Sequence, residues 1–375
     1  MAFLERTVHL SQGPMAVAVS GGSDSLALLL LAHRWGRCVG RPLVAFTVDH
    51  GLRPESTQEA QRVQTYASSL GIRHKILTWA PPQNLPLGHL ERMAREARYS
   101  LLAEACWQHR CSVLLLGHTQ EDQIETLLLR ASHGSGAFGL AGMLPVRFLH
   151  PHLALVRPLL SFRRHILQAF LHQQGVRWIS DPHNANRLFQ RVQIRQALHQ
   201  VDPRTYQDLC ACSRFYAAER RLYARATQRF LQKNATLLGL KVHVDPKAFS
   251  LLSLPLRQYI LRHILTCVGG KPYPPNEKAL QRACTSIAST VSTRITLGRV
   301  LLEKRARFLV FSREQRNPPP PLRINPQGFA CWDGRFWLEN STSSPCWIAP
   351  PMEEEERFPP GILQIVSSVE NLFKN

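Results

Sequence analysis

The chain has 375 residues and a formal net charge of +20, a balance far more basic than that of most metabolic enzymes. Such a field attracts polyanions and favours a nucleic-acid partner, although an arginine-rich composition from a GC-rich genome would also raise the charge. No run of about 20 apolar residues is present, so we expect no transmembrane helix and no membrane partner, and residues 1–13 do not have the pattern of a signal peptide. The nine cysteines form no Cys-x-x-Cys pair, which argues against a disulfide framework and indicates a cytoplasmic location.

The first predicted elements are a strand and a helix joined by a turn of small residues. Met15–Val19 is typical of a buried strand, and Leu26–Leu31 is the apolar body of a helix. The turn between them consists of Ser20, Gly21, Gly22, Ser23, Asp24 and Ser25.

This turn has the composition of a phosphate-binding loop. Glycines let a ligand approach the main chain closely, Ser23 or Asp24 is expected to cap the helix, and the first helical amides would face an anion. The spacing lacks the Gly-Lys-Ser/Thr of a Walker loop and the third glycine of a dinucleotide fingerprint. A glycine-rich turn without a ligand is the alternative interpretation.

The following segments alternate between strands and helices. Strands are predicted at Leu43–Val48, Ile72–Leu77 and Val113–Leu116, and helices at 55–70 and from about Leu90 to His109. This alternation predicts an α/β fold with a parallel, doubly wound sheet.

Three polar clusters follow predicted strands, at Ser20–Ser25, Asp49–Arg53 and His118–Glu125. Because ligands of such sheets bind at the carboxyl ends of the strands, we expect the clusters to meet in one crevice. Asp122 and Glu125 are three residues apart at a helix start and project to one side. As a pair they would bind magnesium or a cationic substrate, whereas a single acidic residue there would only complement the helix dipole.

Two basic helical segments are predicted after the sheet. Arg187, Arg191 and Arg195 are spaced along one face of a helix, and a second stripe follows it. The second stripe consists of Arg214, Arg220, Arg221, Arg225 and Arg229. Phe189, Phe215 and Tyr216 lie among these arginines and would either stack on RNA bases or pack within the helices. We therefore predict RNA binding by Arg187, Arg191 and Arg195.

The organisation that we predict has four parts. A catalytic domain spans 1–185, a basic helical linker and RNA-binding module 186–235, an α+β region 236–316, and a proline-rich spacer with the C-terminal region 317–375. In the last part, Asp333-Gly334 flanked by aromatic residues predicts a tight hairpin, and Glu353–Glu356 predicts a solvated acidic surface.

Ordered motifs in residues 14–200 resemble those of the bacterial tRNA(Ile)-lysidine synthetase family, within the superfamily of PP-loop ATP pyrophosphatases. The motifs are Ser-Gly-Gly-Ser-Asp-Ser (20–25), Val-Asp-His-Gly-Leu-Arg (48–53), Ala-Arg-Glu-Ala-Arg-Tyr (94–99), Leu-Gly-His-Thr-Gln-Glu-Asp-Gln-Ile-Glu-Thr (116–126), Gly-Ser-Gly and Gly-Leu-Ala-Gly-Met (within 134–143), Arg157-Pro158-Leu159-Leu160, and Asp181-Pro182 with Asn184. The resemblance implies an adenine nucleotide α-hydrolase-like domain that uses ATP and magnesium.

The resemblance also implies a two-step reaction. The enzyme would adenylate carbon-2 oxygen of the wobble cytidine in the CAU anticodon of tRNA(Ile), releasing pyrophosphate. Free L-lysine would then displace AMP and leave lysidine, which changes the codon and amino-acid specificity of the tRNA from methionine to isoleucine. The sequence leaves the oligomeric state open, a homodimer included.

Site residues follow from this expectation. Residues 20–25 and Asp49 are the expected ATP-binding residues, Asp24 is also the candidate magnesium ligand, and Arg98 would neutralise the α phosphate. Asp122 and Glu125 are the expected lysine-binding pair. The attacking amine, with a reference pKa of about 10.4, must lose a proton, and His118 is the candidate base, with a purely structural role as the alternative.

Two other functions are consistent with parts of the sequence. A tRNA-thiolating adenylase would use the same loop, but the expected Cys-x-x-Cys spacing is missing. A non-catalytic basic RNA-binding protein would need neither the loop nor the paired carboxylates Asp122 and Glu125.

Overall fold

The computed structural model describes residues 13–51, 55–80, 87–150, 152–179, 190–289, 293–349 and 362–367. Several predictions concern residues outside these ranges, namely the leader up to residue 12, Arg53, Asp181–Asn184, Arg187, Phe189 and Glu353–Glu356. The chain forms two compact units, Met1–Ala217 and Ala218–Asn375. Their boundary lies inside one long helix, and the four-part division stays a prediction.

The first unit is built on a sheet with the strand order β3-β2-β1-β4-β6-β5. All neighbours pair in parallel except β5 and β6, which are antiparallel. The strands are β1 (Met15–Ala18), β2 (Leu43–Asp49), β3 (Arg73–Thr78), β4 (Val113–Leu116), β5 (Val146–His150) and β6 (Leu153–Val156).

Helices connect these strands and continue after the sheet. They are α1 (Ser23–Cys38), α2 (Glu55–Ser69), α3 (Leu87–Gln108), α4 (Gln120–Ser132), α5 (Ala137–Leu140), α6 (Arg164–Gln173), α7 (Gln190–Gln200) and α8 (Pro203–Asn234). The α/β fold with a mainly parallel, doubly wound sheet is confirmed, and the predicted strand at Val113–Leu116 has the observed bounds.

Apolar side chains on both sides of the sheet explain why its central strands form. Met15 and Val17 of β1 belong to one buried cluster, while Ala16 and Ala18 belong to another. Side chains alternate between the two faces of a strand, so a strand buried on both faces is apolar throughout. This burial fixes β1 at the centre, with β2 and β4 as its neighbours.

The second unit carries antiparallel sheets and two longer helices. Its first sheet has the order β7-β8-β11-β10-β9 and packs on α10 and α11 through a shared apolar cluster. Two small sheets, β12-β15 and β13-β14-β16, follow. The strands are β7 (Ala235–Leu238), β8 (Lys241–Val244), β9 (Thr293–Leu297), β10 (Val300–Lys304), β11 (Leu309–Arg313), β12 (Leu322–Ile324), β13 (Phe329–Trp332), β14 (Phe336–Asn340), β15 (Cys346–Ile348) and β16 (Ile362–Ser367), and the helices are α9 (Pro246–Ser250), α10 (Leu254–Gly269) and α11 (Glu277–Ser289).

The Asp-Gly hairpin predicted in this unit is confirmed. Strands β13 and β14 pair in antiparallel register, with Trp332 opposite Phe336. Asp333 and Gly334 both have positive φ, at 52° and 68°, and the Arg335 amide donates to the Trp332 carbonyl oxygen at 3.1 Å, which closes the turn.

The basic stripe of α8 is only partly on the surface. Arg214, Arg221, Arg225 and Arg229 are exposed, but Arg220 is buried, and its carbonyl oxygen accepts a hydrogen bond from the Tyr259 hydroxyl. Phe215 is exposed and contacts the Tyr216 ring edge-on. Among the described residues, no helix is both long and apolar enough to span a membrane.

Candidate active site

The site forms where the strand order reverses. Strand β1 lies between β2 and β4, and the chain leaves the carboxyl ends of β1 and β4 toward opposite edges of the sheet. Ligands of doubly wound sheets bind at such a point. The loop after β1 and the loop after β4 are in close contact at this point. A Cβ atom added to Gly117 would lie 3.0 Å from the Asp24 carbonyl oxygen, so glycine is needed there for the close approach.

The loop after β1 is held by its own serines. The Ser25 hydroxyl donates to the Gly22 carbonyl oxygen at 2.9 Å and accepts from the Ser20 amide at 3.1 Å. Gly21 has φ +82°, and its carbonyl oxygen accepts from the Ile179 amide at 2.9 Å. The loop therefore presents a fixed backbone to a ligand.

The helix cap differs from the prediction. Helix α1 begins at Ser23, and Gly22 is its N-cap with no side-chain hydrogen bond. The prediction that Ser23 or Asp24 caps the helix is wrong, because both residues lie inside the first turn. The first amides of a helix have no intrahelical acceptor, so with a glycine cap they stay available to an anion.

Asp24 and Asp122 approach one another through Arg164. Arg164 Nε donates to Asp24 Oδ2 at 2.8 Å, and Arg164 Nη2 lies 3.8 Å from Asp122 Oδ2. Burial raises the pKa of Asp24 above its usual value, against the opposing charge of Arg164, and the nearby Asp122 raises it further. The loops after β1 and β4 thus share one cation.

Asp122 also fixes the start of α4. Its Oδ2 accepts from the Thr119 amide at 2.8 Å and from the Thr119 hydroxyl at 3.1 Å. Burial alone would raise the pKa of Asp122, but the Thr119 amide and the charges of Arg164 and Arg191 hold the pKa below its usual value. Asp122 is therefore an anion at neutral pH.

Glu125 is fully buried and bound to two arginines of α7. Arg195 Nε donates to Glu125 Oε1 at 2.7 Å, and Arg195 Nη2 donates to Oε2 at 3.1 Å. Arg191 Nε lies 3.3 Å from Oε2. The predicted lysine-binding carboxylate and two predicted tRNA-binding arginines are thus in direct contact.

His118 lies at the end of β4 and accepts at its Nδ1 from Arg157 Nε, 3.2 Å away. Burial lowers the pKa of His118 to about 3; Asp122 opposes this, and the cations Arg157, Arg98 and Arg191 add to it. The ring is therefore neutral at physiological pH.

Arg98 lies in the same neighbourhood. Its charge lowers the pKa of both His50, after β2, and His118, although burial is the larger cause for each. Burial also lowers the pKa of Arg98 itself. A half-buried guanidinium interacts more strongly with an anion than a fully exposed one does.

Asp49 shapes the loop after β2. Its carboxylate accepts from the Ser56 hydroxyl at 2.7 Å, the Thr57 hydroxyl at 2.8 Å and the Gly51 amide at 2.9 Å. Burial works to raise the pKa of Asp49, but these hydrogen bonds outweigh it and lower the pKa. The predicted ATP contact of Asp49 stays a prediction, since both of its oxygens already have partners in the protein.

Two site residues have no predicted role. Arg157 belongs to the motif Arg157-Pro158-Leu159-Leu160. The sequence does not indicate that β6, which Arg157 follows, lies beside β4 in the sheet. Arg164 is 140 residues from Asp24 in the chain, and no local pattern marks it. The one indirect signal is that a carboxylate such as Asp24, when it is removed from water, needs a cation beside it. The sequence does not state which arginine supplies that cation.

The fold, the loop and the convergent charges define a class of nucleotide-binding protein. Residues 2–202 match the family model described as the PP-loop domain. The chain is therefore a PP-loop protein, and this class uses ATP.

Curated relatives narrow the class to a family. A tRNA(Ile)-lysidine synthase of Hyphomonas neptunium is 38% identical over 84% of this chain and 84% of the relative. Those of Ruegeria pomeroyi (36% identical; 86% of this chain, 76% of the relative) and a Bradyrhizobium species (39%; 68% and 75%) are also similar. The chain belongs to the tRNA(Ile)-lysidine synthase family and is a ligase of the PP-loop class.

Proposed function

We propose that the protein joins free L-lysine to carbon-2 of the wobble cytidine in a CAU-anticodon tRNA(Ile), by way of an adenylated tRNA. The observation that carries the proposal is the contact between the two loops at the switch point, which brings the loop after β1 next to the start of α4 and its buried carboxylates Asp122 and Glu125. An ATP pyrophosphatase that takes its nucleophile from a cationic amine substrate needs both parts. The family supports the same reaction.

The first step is adenylation. Amides at the start of α1 would stabilise the charge of the departing pyrophosphate, since fixed donors aimed at developing charge supply much of an enzyme's rate enhancement. Arg98 would contact the α phosphate, where a planar guanidinium fits well.

Lysine would bind where arginine now lies. Glu125 and Asp122 would pair with the ammonium groups of lysine, and the guanidinium groups of Arg191 and Arg195 already show that the Glu125 pocket accepts a cation. Lysine must therefore compete with these arginines or bind after they move. RNA phosphates would attract them away from Glu125, which would couple lysine binding to tRNA binding.

Magnesium fits the charges of the first loop. No cluster of three or more potential protein ligands occurs within the described part of the chain, but magnesium is usually held by one or two carboxylates together with substrate phosphates. Asp24, whose carboxylate already accepts from the Arg164 guanidinium, is the residue that would hold it. The ion would neutralise phosphate charge when bound. As for the cellular location, we expect the reaction to take place in the cytoplasm.

The test is lysine incorporation. Radiolabelled lysine, ATP and magnesium are supplied with an unmodified CAU-anticodon tRNA(Ile), and tRNA(Met) is the control. Label in tRNA(Ile) alone is the expected result. Pyrophosphate release without label would keep the adenylase and redirect the search to a sulfur nucleophile.

A further inference from the structure

Arg157 is a buried arginine whose polar atoms are used to hold it in place. It follows β6 directly and is 5% exposed. Its amide donates to the Pro145 carbonyl oxygen at 2.8 Å, and its Nη1 donates to the Leu144 carbonyl oxygen at 2.7 Å. Its Nε donates to His118 Nδ1 at 3.2 Å. The guanidinium therefore bridges the β5–β6 segment and the end of β4.

This contact determines the protonation state of the His118 ring. A guanidinium keeps all its protons in a protein and has no acceptor, so Arg157 Nε always donates and His118 Nδ1 always accepts. A neutral imidazole carries one proton, which is therefore on Nε2. Asp122, Arg157, Arg98 and Arg191 are the charged groups that act on the ring, and burial with three cations outweighs one carboxylate in lowering the pKa of His118.

A ring in this state donates a hydrogen bond through Nε2 and has no free nitrogen to accept a proton. His118 follows Gly117, whose backbone lies against the Asp24 carbonyl oxygen of the phosphate-binding loop. The donor is thus placed beside the region that the nucleotide phosphates would occupy. A lysine base would instead need an accepting nitrogen.

We propose that Arg157 is a positioning residue that holds His118 as a neutral Nε2–H donor, and that His118 donates to a phosphoryl oxygen during adenylation. The proposal rests on the proposed function for the existence of that step. It replaces the hypothesis that His118 takes the proton of the lysine amine.

Adenylation is consistent with a donor that keeps its proton. The cytidine carbon-2 oxygen forms a bond to the α phosphorus, the bond from that phosphorus to the bridging oxygen breaks, and pyrophosphate leaves with the electron pair. No proton is transferred. In the second step the ammonium of lysine first loses a proton to solvent, and the free amine then bonds to carbon-2. AMP leaves with the carbon–oxygen electron pair, and the second proton that the nitrogen loses passes to the AMP phosphate, whose second pKa is about 6.

Two substitutions of His118 distinguish a donor from a base. Glutamine offers an N–H at a reach similar to Nε2 but does not titrate, and alanine offers neither. We expect His118→Gln to retain pyrophosphate release within about tenfold of the native rate, and His118→Ala to lose about a hundredfold or more, as for removal of one oxyanion donor. If His118→Gln is as slow as His118→Ala in single-turnover pyrophosphate release, the proposal is overturned.

The role of Arg157 is tested by ¹⁵N NMR of the His118 ring, assigned with the His118→Gln protein. The native enzyme should show an unprotonated Nδ1 and a protonated Nε2. Arg157→Gln should raise the fraction of rings protonated on Nδ1 and slow pyrophosphate release. Arg147→Gln, at an exposed arginine of the adjacent strand β5, is the control with the same charge change. A protonated Nδ1 in the native enzyme would overturn the proposal even if Arg157→Gln fails to fold. Absence of pyrophosphate release from the native enzyme would instead count against the proposed function.

Discussion

Two buried carboxylates, one in each unit, are surrounded by arginines in different ways. Glu125 of the first unit and Asp333 of the second both have fully buried side chains. Glu125 is bound by Arg191 and Arg195, whose side chains are 36% and 24% exposed. Asp333 is bound by Arg299, Arg313 and Arg335, and the latter two are only 10% and 8% exposed.

The backbone around the two carboxylates also differs. Asp333 lies at a hairpin tip that touches the end of α10: a Cβ atom on Gly270 would lie 2.0 Å from the Asp333 carbonyl oxygen, and one on Gly334 would lie 1.9 Å from the Gly270 carbonyl oxygen. The arginines of Glu125 come from one helix about 70 residues further along the chain. The same ion-pair chemistry therefore forms a closed structural joint in one unit and, under the proposed function, a contact that exchanges with lysine in the other.

The largest expected effect is on the joint. Asp333→Asn should lower the free energy of unfolding of the second unit by about 3–5 kcal/mol, because three guanidinium groups lose a buried partner. Asparagine tolerates positive φ, so the hairpin itself is not strained. Urea denaturation measures the change.

A matched control lies in the first sheet of the same unit. Glu303 pairs with Arg294 and Arg305 at the surface, and Glu303→Gln should cost less than about 1 kcal/mol. Equal losses for the two variants would contradict the distinction between a buried joint and a surface pair.

The second effect concerns exchange at Glu125. Glu125→Gln should leave pyrophosphate release in place and raise the KM for lysine about tenfold or more, because one partner of the ammonium is lost. Lysine titration in the incorporation assay measures it. If pyrophosphate release stops at saturating lysine, Glu125 acts on the nucleotide or its magnesium and does not bind lysine.

A smaller effect is expected at Arg195, where a substitution should weaken tRNA binding and strengthen lysine binding. Arg195→Gln should weaken tRNA binding several-fold and reduce its salt dependence by about one unit of slope, while lowering the KM for lysine, since a competitor for Glu125 is removed. Filter binding at several salt concentrations and lysine titration give the two readouts. Arg204→Gln, at the exposed start of α8, is the control. An increase in both the Kd for tRNA and the KM for lysine would show that Arg195 only supports Glu125.

The smallest effect is a pH dependence in the stability of the first unit. Burial, with the neighbouring His152, lowers the pKa of His150 to about 4, so the unfolded chain binds the proton first and stability falls as the pH drops below about 6.5. Between neutral pH and about pH 5.5, His150 should cost the first unit about 1 kcal/mol. His150→Gln should remove that loss in denaturant titrations, whereas His165→Gln, at an exposed histidine, should not.

The sequence predicted what short-range patterns control. The apolar run of β1 predicted a strand because both of its faces are buried, and Asp333-Gly334 predicted a hairpin because few residues adopt the positive φ that the turn needs. The cap of α1 was predicted wrongly, because Gly22 satisfies the backbone geometry without a side chain.

Long-range pairing could not be predicted in this way. Helical spacing puts Arg191 and Arg195 on one face, but no periodicity states that this face meets Glu125. Arg164 pairs with Asp24 across 140 residues, and Arg220 is buried although its spacing is that of a surface stripe. Each outcome depends on which buried charge needs a partner, and packing decides that.

The arginines on Glu125 affect how the enzyme reconciles stability with activity. Active sites often destabilise a protein because they keep charges ready for an absent substrate. Under the proposed function, the arginines Arg191 and Arg195 substitute for the lysine cation when no substrate is bound, so Glu125 is not left as an unpaired buried anion. The same two arginines would then stabilise the fold of the empty enzyme and bind tRNA during the reaction, at the cost of competition with lysine.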